Sequence, residues 1–288
     1  MNLYNMQDIK PLLARHGFHF SKSLGQNFLI ASWVPEETVA AANLDERSGV
    51  LEIGPGIGAL TRPLAQAAGK VVSVELDRTL LPVLRETLAG CANTRVIHGD
   101  ILKTDLAVLV DEHFADLRPV VVANLPYNIT TPVLTHLVDS GLFERITVMV
   151  QKEVALRITA SAGSSHYGAF SVYAAYYTEP TFCFDVPPDC FVPRPKVDSA
   201  VITLAVRKTP PVSTDPVAIF QVIKAAFAQR RKTLVNCLCS AFPGASKEML
   251  AGILIGLGHD SRIRGETLDL QAFAQLTDGL LDAGIIRR

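Results

Sequence analysis

Val50-Leu-Glu-Ile-Gly-Pro-Gly-Ile-Gly58 decides the fold, because an apolar run passes there directly into a glycine-rich turn. Such a run suits a strand buried on both faces, and glycine lets backbone approach a neighbour where a Cβ would clash. The same rhythm continues outward. Val71-Val-Ser-Val-Glu75, Arg95-Val-Ile-His98, Val120-Val-Val-Ala123 and Ile146-Thr-Val-Met-Val150 are further strand-like runs, with helical patterns such as Leu60–Ala68 and Thr79–Ala89 between them. Alternation of this kind predicts a parallel sheet covered by helices on both faces. Right-handed crossovers then place every loop that follows a strand along one edge, where ligands bind.

After Phe170 the pattern changes. Pro180–Val186 and Val197–Val206 read as two strands joined by the proline-rich stretch Pro187–Pro195, paired at the far edge with one of them antiparallel. That makes seven strands, mostly parallel. Thr209–Pro216 reads as a linker, and Val217–Ala228, Lys232–Ala241, Lys247–Gly256 and Leu268–Ala283 carry helical periodicity alone. The expected organisation is an α/β domain over residues 1–208 and a small α-helical domain over 209–288. No internal repeat or low-complexity tract interrupts it.

Composition narrows the class. With about half its residues apolar and a fifth charged, the chain has the composition of a folded soluble protein. No apolar stretch approaches the ~20 residues of a membrane span. The start, Met1–Asp8, lacks the basic and apolar regions of a secretory signal, so a cytoplasmic protein is expected. Cys91, Cys183, Cys190, Cys237 and Cys239 are odd in number and form no CxxC pair, which fits free thiols in a reducing compartment. The histidines lack ligand spacing, and no metal is expected.

Net charge is −1, with 18 basic against 21 acidic residues up to Lys208 and 9 against 7 beyond it. Bulk charge therefore does not point to a polyanionic partner. Any electrostatic footprint must be local, and Gln229-Arg230-Arg231-Lys232 is the densest cluster, with Arg194/Lys196 and Lys152/Arg157 as lesser ones. A solvated helix face is the ordinary reading of such a run.

The chemistry-bearing residues fall at strand ends. Gly54-Pro-Gly56-Ile-Gly58 is one residue tighter than the G-x-G-x-x-G turn that grips a pyrophosphate, and the acidic Glu52 precedes it. It looks like the turn that holds S-adenosylmethionine. Glu75 ends the second strand about 20 residues on, where an acid binds ribose hydroxyls. Asp100 ends the third, placed to accept from an adenine amine. Singly, Asp77 and Asp100 read as helix or turn caps; glycine, Glu and Asp on three successive strand ends make a site.

The fourth strand ends in Asn124-Leu-Pro-Tyr127. A carboxamide, a rigid proline-bearing backbone and an aromatic ring suit a planar base with an exocyclic amine. That amine is a poor nucleophile because its lone pair is delocalised. Acceptors for both its hydrogens, the Asn124 side chain and the Leu125 or Pro126 carbonyl, would turn the lone pair toward a methyl donor, and Tyr127 would stack on the ring. The plainer reading is a proline turn with Tyr127 in the core. A base inside a duplex cannot reach such a pocket, so the target is single-stranded or flipped out. Phe191 is the candidate for a second aromatic wall, whereas Phe182 and Phe184 follow a period of two and read as core.

With these residues in view, the chain resembles the small-subunit ribosomal RNA adenine dimethyltransferase family. The landmarks are Lys22-Ser-Leu-Gly-Gln-Asn-Phe-Leu29, Val50–Thr61, Asn124–Tyr127, Val150-Gln-Lys-Glu-Val-Ala155, Phe191–Val201 and Ala226-Phe-Ala-Gln-Arg-Arg-Lys-Thr-Leu234. The resemblance implies a Rossmann-like class I methyltransferase fold with a helical C-terminal domain, and S-adenosylmethionine as methyl donor. The implied task is dimethylation of two adjacent adenines in the 3′-terminal hairpin loop of small-subunit rRNA, on a pre-30S particle, by a monomer. It implies donor contacts at Asn27, Leu29, Gly54, Glu75, Asp100 and Asn124. It also implies an rRNA-facing surface at Arg230, Arg231 and Lys232. Asn27 and Leu29 rest on resemblance alone. Ala169-Phe170 departs from the family pattern, where a basic residue and Leu are common, and this predicts one weaker phosphate contact.

Two alternatives stay open at this point. One is the related family that methylates large-subunit rRNA and confers macrolide resistance, which shares both sites. The other is an assembly factor acting mainly by binding.

Overall fold

The computed structural model describes residues 1–20 and 26–287; the first four residues of the Lys22–Leu29 motif lie outside them. The elements run α1 (Met6–Arg15), β1 (Phe28–Leu29), α2 (Trp33–Ala42), β2 (Ser48–Ile53), α3 (Thr61–Ala67), β3 (Lys70–Glu75), α4 (Leu81–Thr87) and β4 (Thr94–His98). They continue α5 (Leu106–Phe114), β5 (Arg118–Asn124), α6 (Thr130–Asp139), β6 (Arg145–Gln151), α7 (Lys152–Ile158), α8 (Ala169–Tyr177), β7 (Thr178–Val186), β8 (Phe191–Val192) and β9 (Ser199–Val206). Four helices follow: α9 (Pro216–Phe227), α10 (Leu234–Ala241), α11 (Lys247–Gly256) and α12 (Leu270–Asp282).

Seven strands form one sheet in the order β4-β3-β2-β5-β6-β9-β7. β4, β3, β2, β5 and β6 pair parallel, and β9 lies antiparallel on β6. This is the mostly parallel, Rossmann-like arrangement expected. All six residues of β2 are buried, as a central strand covered on both faces must be. The strand order reverses between β2 and β5: the chain moves outward from β2 to β4, then returns to β5 on β2's other side. Loops after the strands diverge at such a point and leave a crevice.

A second, two-stranded sheet pairs β1 with β8, placing Leu29 opposite Phe191 and Phe28 opposite Val192. Two-residue strands carry no periodicity, so nothing in the sequence announces this sheet. Phe28, Leu29 and Phe191 of this sheet pack with Leu12, Phe18, Ile57 and Leu84 into one buried cluster.

The chain divides into two compact units, Met1–Ala155 with Thr181–Val206, and Leu156–Pro180 with Arg207–Arg288. A single cut at Lys208 does not describe this, because Leu156–Pro180 belongs with the C-terminal helices. The reason is packing. Tyr167, Val172 and Tyr176 are buried in the same cluster as Ile219, Leu238, Leu250, Phe273 and Leu280, and the Tyr167 hydroxyl donates to the Leu268 carbonyl at 2.9 Å. Within this helical unit, Asp215, Thr233, Ser246 and Asp269 each accept a backbone N–H at the start of α9, α10, α11 and α12. Each such cap contributes ~1 kcal/mol. No helix among the described residues is long and apolar enough to cross a membrane.

One contact tests the packing of the sheet unit. A Cβ on Gly49 of β2 would fall 2.5 Å from the Phe114 ring, which is itself buried. Gly49→Ala is expected to destabilise the protein by ~1–3 kcal/mol through overpacking, read as a lower urea midpoint with an unchanged slope.

Candidate active site

Parallel pairing brings the ends of five strands, β4, β3, β2, β5 and β6, side by side. Ile53 lies opposite Val74, Glu75 opposite His98, and Asn124 opposite Met149. The residues that follow these ends therefore share one edge, and they line a cleft of about 1150 Å³, part of it open to solvent. Asn27, Leu29, Gly54, Glu75, Asp100 and the whole Asn124–Tyr127 turn all border it.

Gly54, Gly56 and Gly58 have φ of +67°, +60° and +87°, a region that L side chains enter only with strain. A Cβ on Gly56 would also meet the Phe28 ring at 3.3 Å. The turn is held at its start by the Gly54 N–H donating to the Val74 carbonyl at 2.9 Å. Its backbone is thus bare on the cleft side, which suits close approach of a nucleoside-bearing ligand.

Two buried carboxyl groups stand behind it. Glu52 accepts from the Thr61 hydroxyl at 2.7 Å and the Ser73 hydroxyl at 2.6 Å. Glu75 accepts from the Asp77 N–H at 2.7 Å and the Gly56 N–H at 3.3 Å. Burial pushes each carboxyl up from 4.5 to about 7, and the hydrogen bonds only partly offset it. Burial of an unpaired carboxylate disfavours its charged form, so the site gains from a cationic ligand. Leu76 and Ile101 add apolar walls beside Glu75 and Asp100. Leu76 is a large apolar residue left 48% exposed, and sequence reasoning passed over it.

The expected capping roles are present beside the binding geometry. Asp77 caps the turn at Arg78–Leu80 and also accepts from Gln26 Nε2 at 2.7 Å, which ties the N-terminal motif to the donor side. Asp100 caps the turn at Ile101–Lys103 while bordering the cleft.

At the acceptor side, Asn124 Nδ2 reaches the Asn27 carbonyl at 3.5 Å, which leaves Oδ1 as the end of the carboxamide available to accept. The Pro126 carbonyl already accepts from the Ile129 N–H and the Thr130 hydroxyl, both at 3.2 Å. The Leu125 N–H is bound to the Met149 carbonyl at 3.1 Å. Of the two candidate backbone acceptors, Leu125 C=O is therefore the better placed, having no donor on it among the described residues. Tyr127 is half-buried on the cleft wall, and its hydroxyl lies 2.6 Å from Ser199 Oγ.

The structure does not place Phe191 on the cleft wall. It is 2% exposed, paired in β8 with Leu29, and buried among Phe28, Val34 and Val186. A flexible proline-rich loop would have left the ring free, but the β1–β8 ladder locks it inward.

In the helical unit, Arg231 and Lys232 are exposed on the turn between α9 and α10. Arg230 is engaged internally, with Glu266 at 3.4 Å and with the Ser165 carbonyl, so it has less to offer a partner than its neighbours. Lys232, Gln229, Asn236, Ser240 and Lys247 border a polar groove. Arg194 and Lys152 are paired with Asp189 and Asp185, each at 2.9 Å. No cluster of three or more His, Cys, Asp or Glu placed to hold a metal occurs among the described residues.

A model of the family described as ribosomal RNA adenine dimethylase matches residues 17–274. The chain belongs to that family. As a member it is an S-adenosylmethionine-dependent adenine dimethyltransferase, and the bare glycine turn, buried acids and apolar walls fit that donor. Among similar proteins is Ribosomal RNA small subunit methyltransferase A of Geobacillus kaustophilus, 48% identical with 94% of each chain covered. That of Bacillus licheniformis is also 48% identical over 94% of each chain. Among solved structures, a dimethyladenosine transferase from Plasmodium falciparum aligns with TM-score 0.73 at 25% identity, covering 89% of this chain and 98% of the other. The 23S rRNA methyltransferase ErmE aligns with TM-score 0.70 at 26% identity, covering 88% and 99%.

The two buried acids generate a pH signature. With folded values raised above the unfolded 4.5, each holds a proton between pH 4.5 and about 7 that the unfolded chain has released. Their contribution to stability is present below that window and falls as pH rises through it. Glu52→Gln is expected to flatten the fall in melting temperature of the ligand-free protein between those pH values, as thermal melts would record.

Proposed function

We propose that this chain dimethylates the exocyclic amines of two adjacent adenines in the 3′-terminal hairpin loop of small-subunit rRNA, acting as a monomer on a cytoplasmic pre-30S particle. The observation that carries this is the opening of the donor strand ends and the Asn124–Tyr127 turn into one cleft. The choice of subunit is supported by near-full-length relatives bearing the small-subunit name. The likeness to ErmE indicates that the fold alone does not discriminate between subunits.

In this reading the donor supplies an electrophilic sulfonium methyl when bound. Glu75 would hold the ribose hydroxyls and Asp100 the adenine amine, with Leu76 and Ile101 offering apolar surface to the donor base. Glu52, behind the glycine turn, adds negative charge that favours the cationic donor. Asn27 and Leu29 close the cleft over it. On the acceptor side, Asn124 Oδ1 and the Leu125 carbonyl each accept one hydrogen of the target amine. The nitrogen's lone pair then faces the methyl group, so much of the rate gain comes from orientation. No strong base is needed, because the amine sheds its proton after attack. Tyr127 stacks on the base.

Arg231 and Lys232, with the groove that runs past Asn236 and Lys247, form the rRNA-facing surface of the helical unit. With Arg194 and Lys152 each paired to an aspartate, this local patch supplies an electrostatic grip in a chain whose net charge is −1.

The deciding experiment incubates the protein with undermethylated small subunits and isotopically labelled donor, followed by mass spectrometry of rRNA fragments. A parallel incubation contains large subunits; label in the 3′-terminal hairpin of the small-subunit rRNA is expected, and an unlabelled hairpin, or label only in the large-subunit incubation, would overturn the assignment. Asn124→Ala is expected to lower kcat by ~100-fold or more through the lost acceptor, while sedimentation with the particle stays unchanged. Arg231→Ala with Lys232→Ala is expected to raise KM for the particle and reduce the salt slope of binding by ~1–2, leaving donor affinity unaltered.

A further inference from the structure

We propose that Ser199 is a positioning residue for the acceptor turn, fixing the Tyr127 ring by its phenol oxygen so that the second methyl transfer can follow the first. The inference rests on the reading of Asn124–Tyr127 as the adenine-binding turn. The distance from Tyr127 Oη to Ser199 Oγ is 2.6 Å, and Ser199 is fully buried. Ser199 does not border the cleft, whereas Tyr127 does. Any influence of the serine on the base therefore passes through the tyrosine.

Sheet register explains how a residue 72 positions away reaches the turn. β5 ends at Asn124, opposite Met149 of β6. β6 runs two residues further, to Gln151, which lies opposite Ser199 at the first position of β9. The turn after β5 folds over the end of β6, held by the Leu125–Met149 hydrogen bond, and so arrives at the start of the next strand. Because β9 is antiparallel, its first residue sits at the ligand edge. The Lys152 N–H donates to the Asp198 carbonyl at 2.9 Å and pins that start in place.

Tyr127 is thereby held at both ends. Its backbone lies in a turn closed by two donors on the Pro126 carbonyl, and its hydroxyl is anchored on a strand of the sheet. A phenol tethered at its tip loses the freedom to swing about its side-chain torsions, so the ring face is set before the base arrives.

The two transfers do not depend on this equally. An unmethylated amine offers two hydrogens, one to Asn124 Oδ1 and one to the Leu125 carbonyl. After one transfer a single hydrogen remains, and one acceptor loses its donor. Stacking on Tyr127 then carries a larger share of the orientation. A loosened ring should fail more at the second step than at the first.

The test compares wild type, Ser199→Ala, Tyr127→Phe and the double variant on undermethylated small subunits. It measures kcat, both KM values and the ratio of monomethyl to dimethyl adenine by mass spectrometry, with donor affinity by calorimetry. Each single variant is expected to keep donor affinity, to lose about fivefold in the rate of dimethyl product, and to accumulate monomethyl adenine. The double variant should match the singles, because both remove one bond. Ser199→Cys, with a weak donor in the same place, should lie between Ser199→Ala and wild type. A wild-type product ratio in folded Ser199→Ala, a parallel loss of donor affinity, or additive losses in the double variant would each overturn the proposal. If Ser199→Ala does not fold, Tyr127→Phe decides, and an unchanged ratio there overturns it. Failure of the wild-type protein to methylate the particle would instead remove the functional reading itself, a result visible before any variant is compared.

Discussion

Parallel register across β4, β3, β2 and β5 is the constraint on which the rest of the site depends. Each strand contributes one or two chemically active residues at its C-terminal end, and none of them is near another in sequence. Backbone pairing of the strands brings Asp100, Glu75, Gly54 and Asn124, each at or just beyond a strand end, to one edge of the sheet. A one-residue slip in any pairing would turn a carboxylate into the helical layer and an apolar side chain into the cleft. The precision of the site is thus inherited from the ladder rather than from the loops.

Within that frame the donor side is built at a cost to the ligand-free protein. Glu52 and Glu75 sit where water cannot solvate them well, and their neighbours donate only part of what full hydration would supply. Groups arranged for a cationic guest are in this sense poorly satisfied alone. Binding a donor that carries positive charge relieves the condition, which links stability of the sheet unit to occupancy.

Much of this was legible in the sequence because strand ends advertise themselves. Gly54–Gly58, Glu75, Asp100 and Asn124 each follow a β-branched run, and right-handed crossovers permit only one edge for them all. What escaped notice lacked such a signal. Phe191 stands among prolines and looks exposed, yet pairing of β8 with β1 buries it; two-residue strands leave no pattern. α8 escaped because Ala169-Phe-Ser-Val-Tyr-Ala-Ala-Tyr-Tyr177 is apolar nearly all round, with no polar stripe to reveal a helical period. Its packing with α9 and α12 moved Leu156–Pro180 into the helical unit. Ser199 reads only as one position in a strand. Leu76 carries no such signal, because a single apolar residue after a strand-ending acid has no pattern to mark it as exposed.

The interleaving of the two units has a bearing on how the protein is made. A nascent chain leaves the ribosome N-terminus first, so Tyr167, Val172 and Tyr176 emerge well before the helices that cover them. Until Leu280 and its neighbours are synthesised, that aromatic segment has no finished hydrophobic shelter. The sheet unit likewise waits for Thr181–Val206 before its last strands can dock. The sheet unit is complete once Val206 has emerged, whereas the helical unit is not until the last helices are made, and a shortened transcript ending at the linker would yield a polypeptide with sticky rings on display.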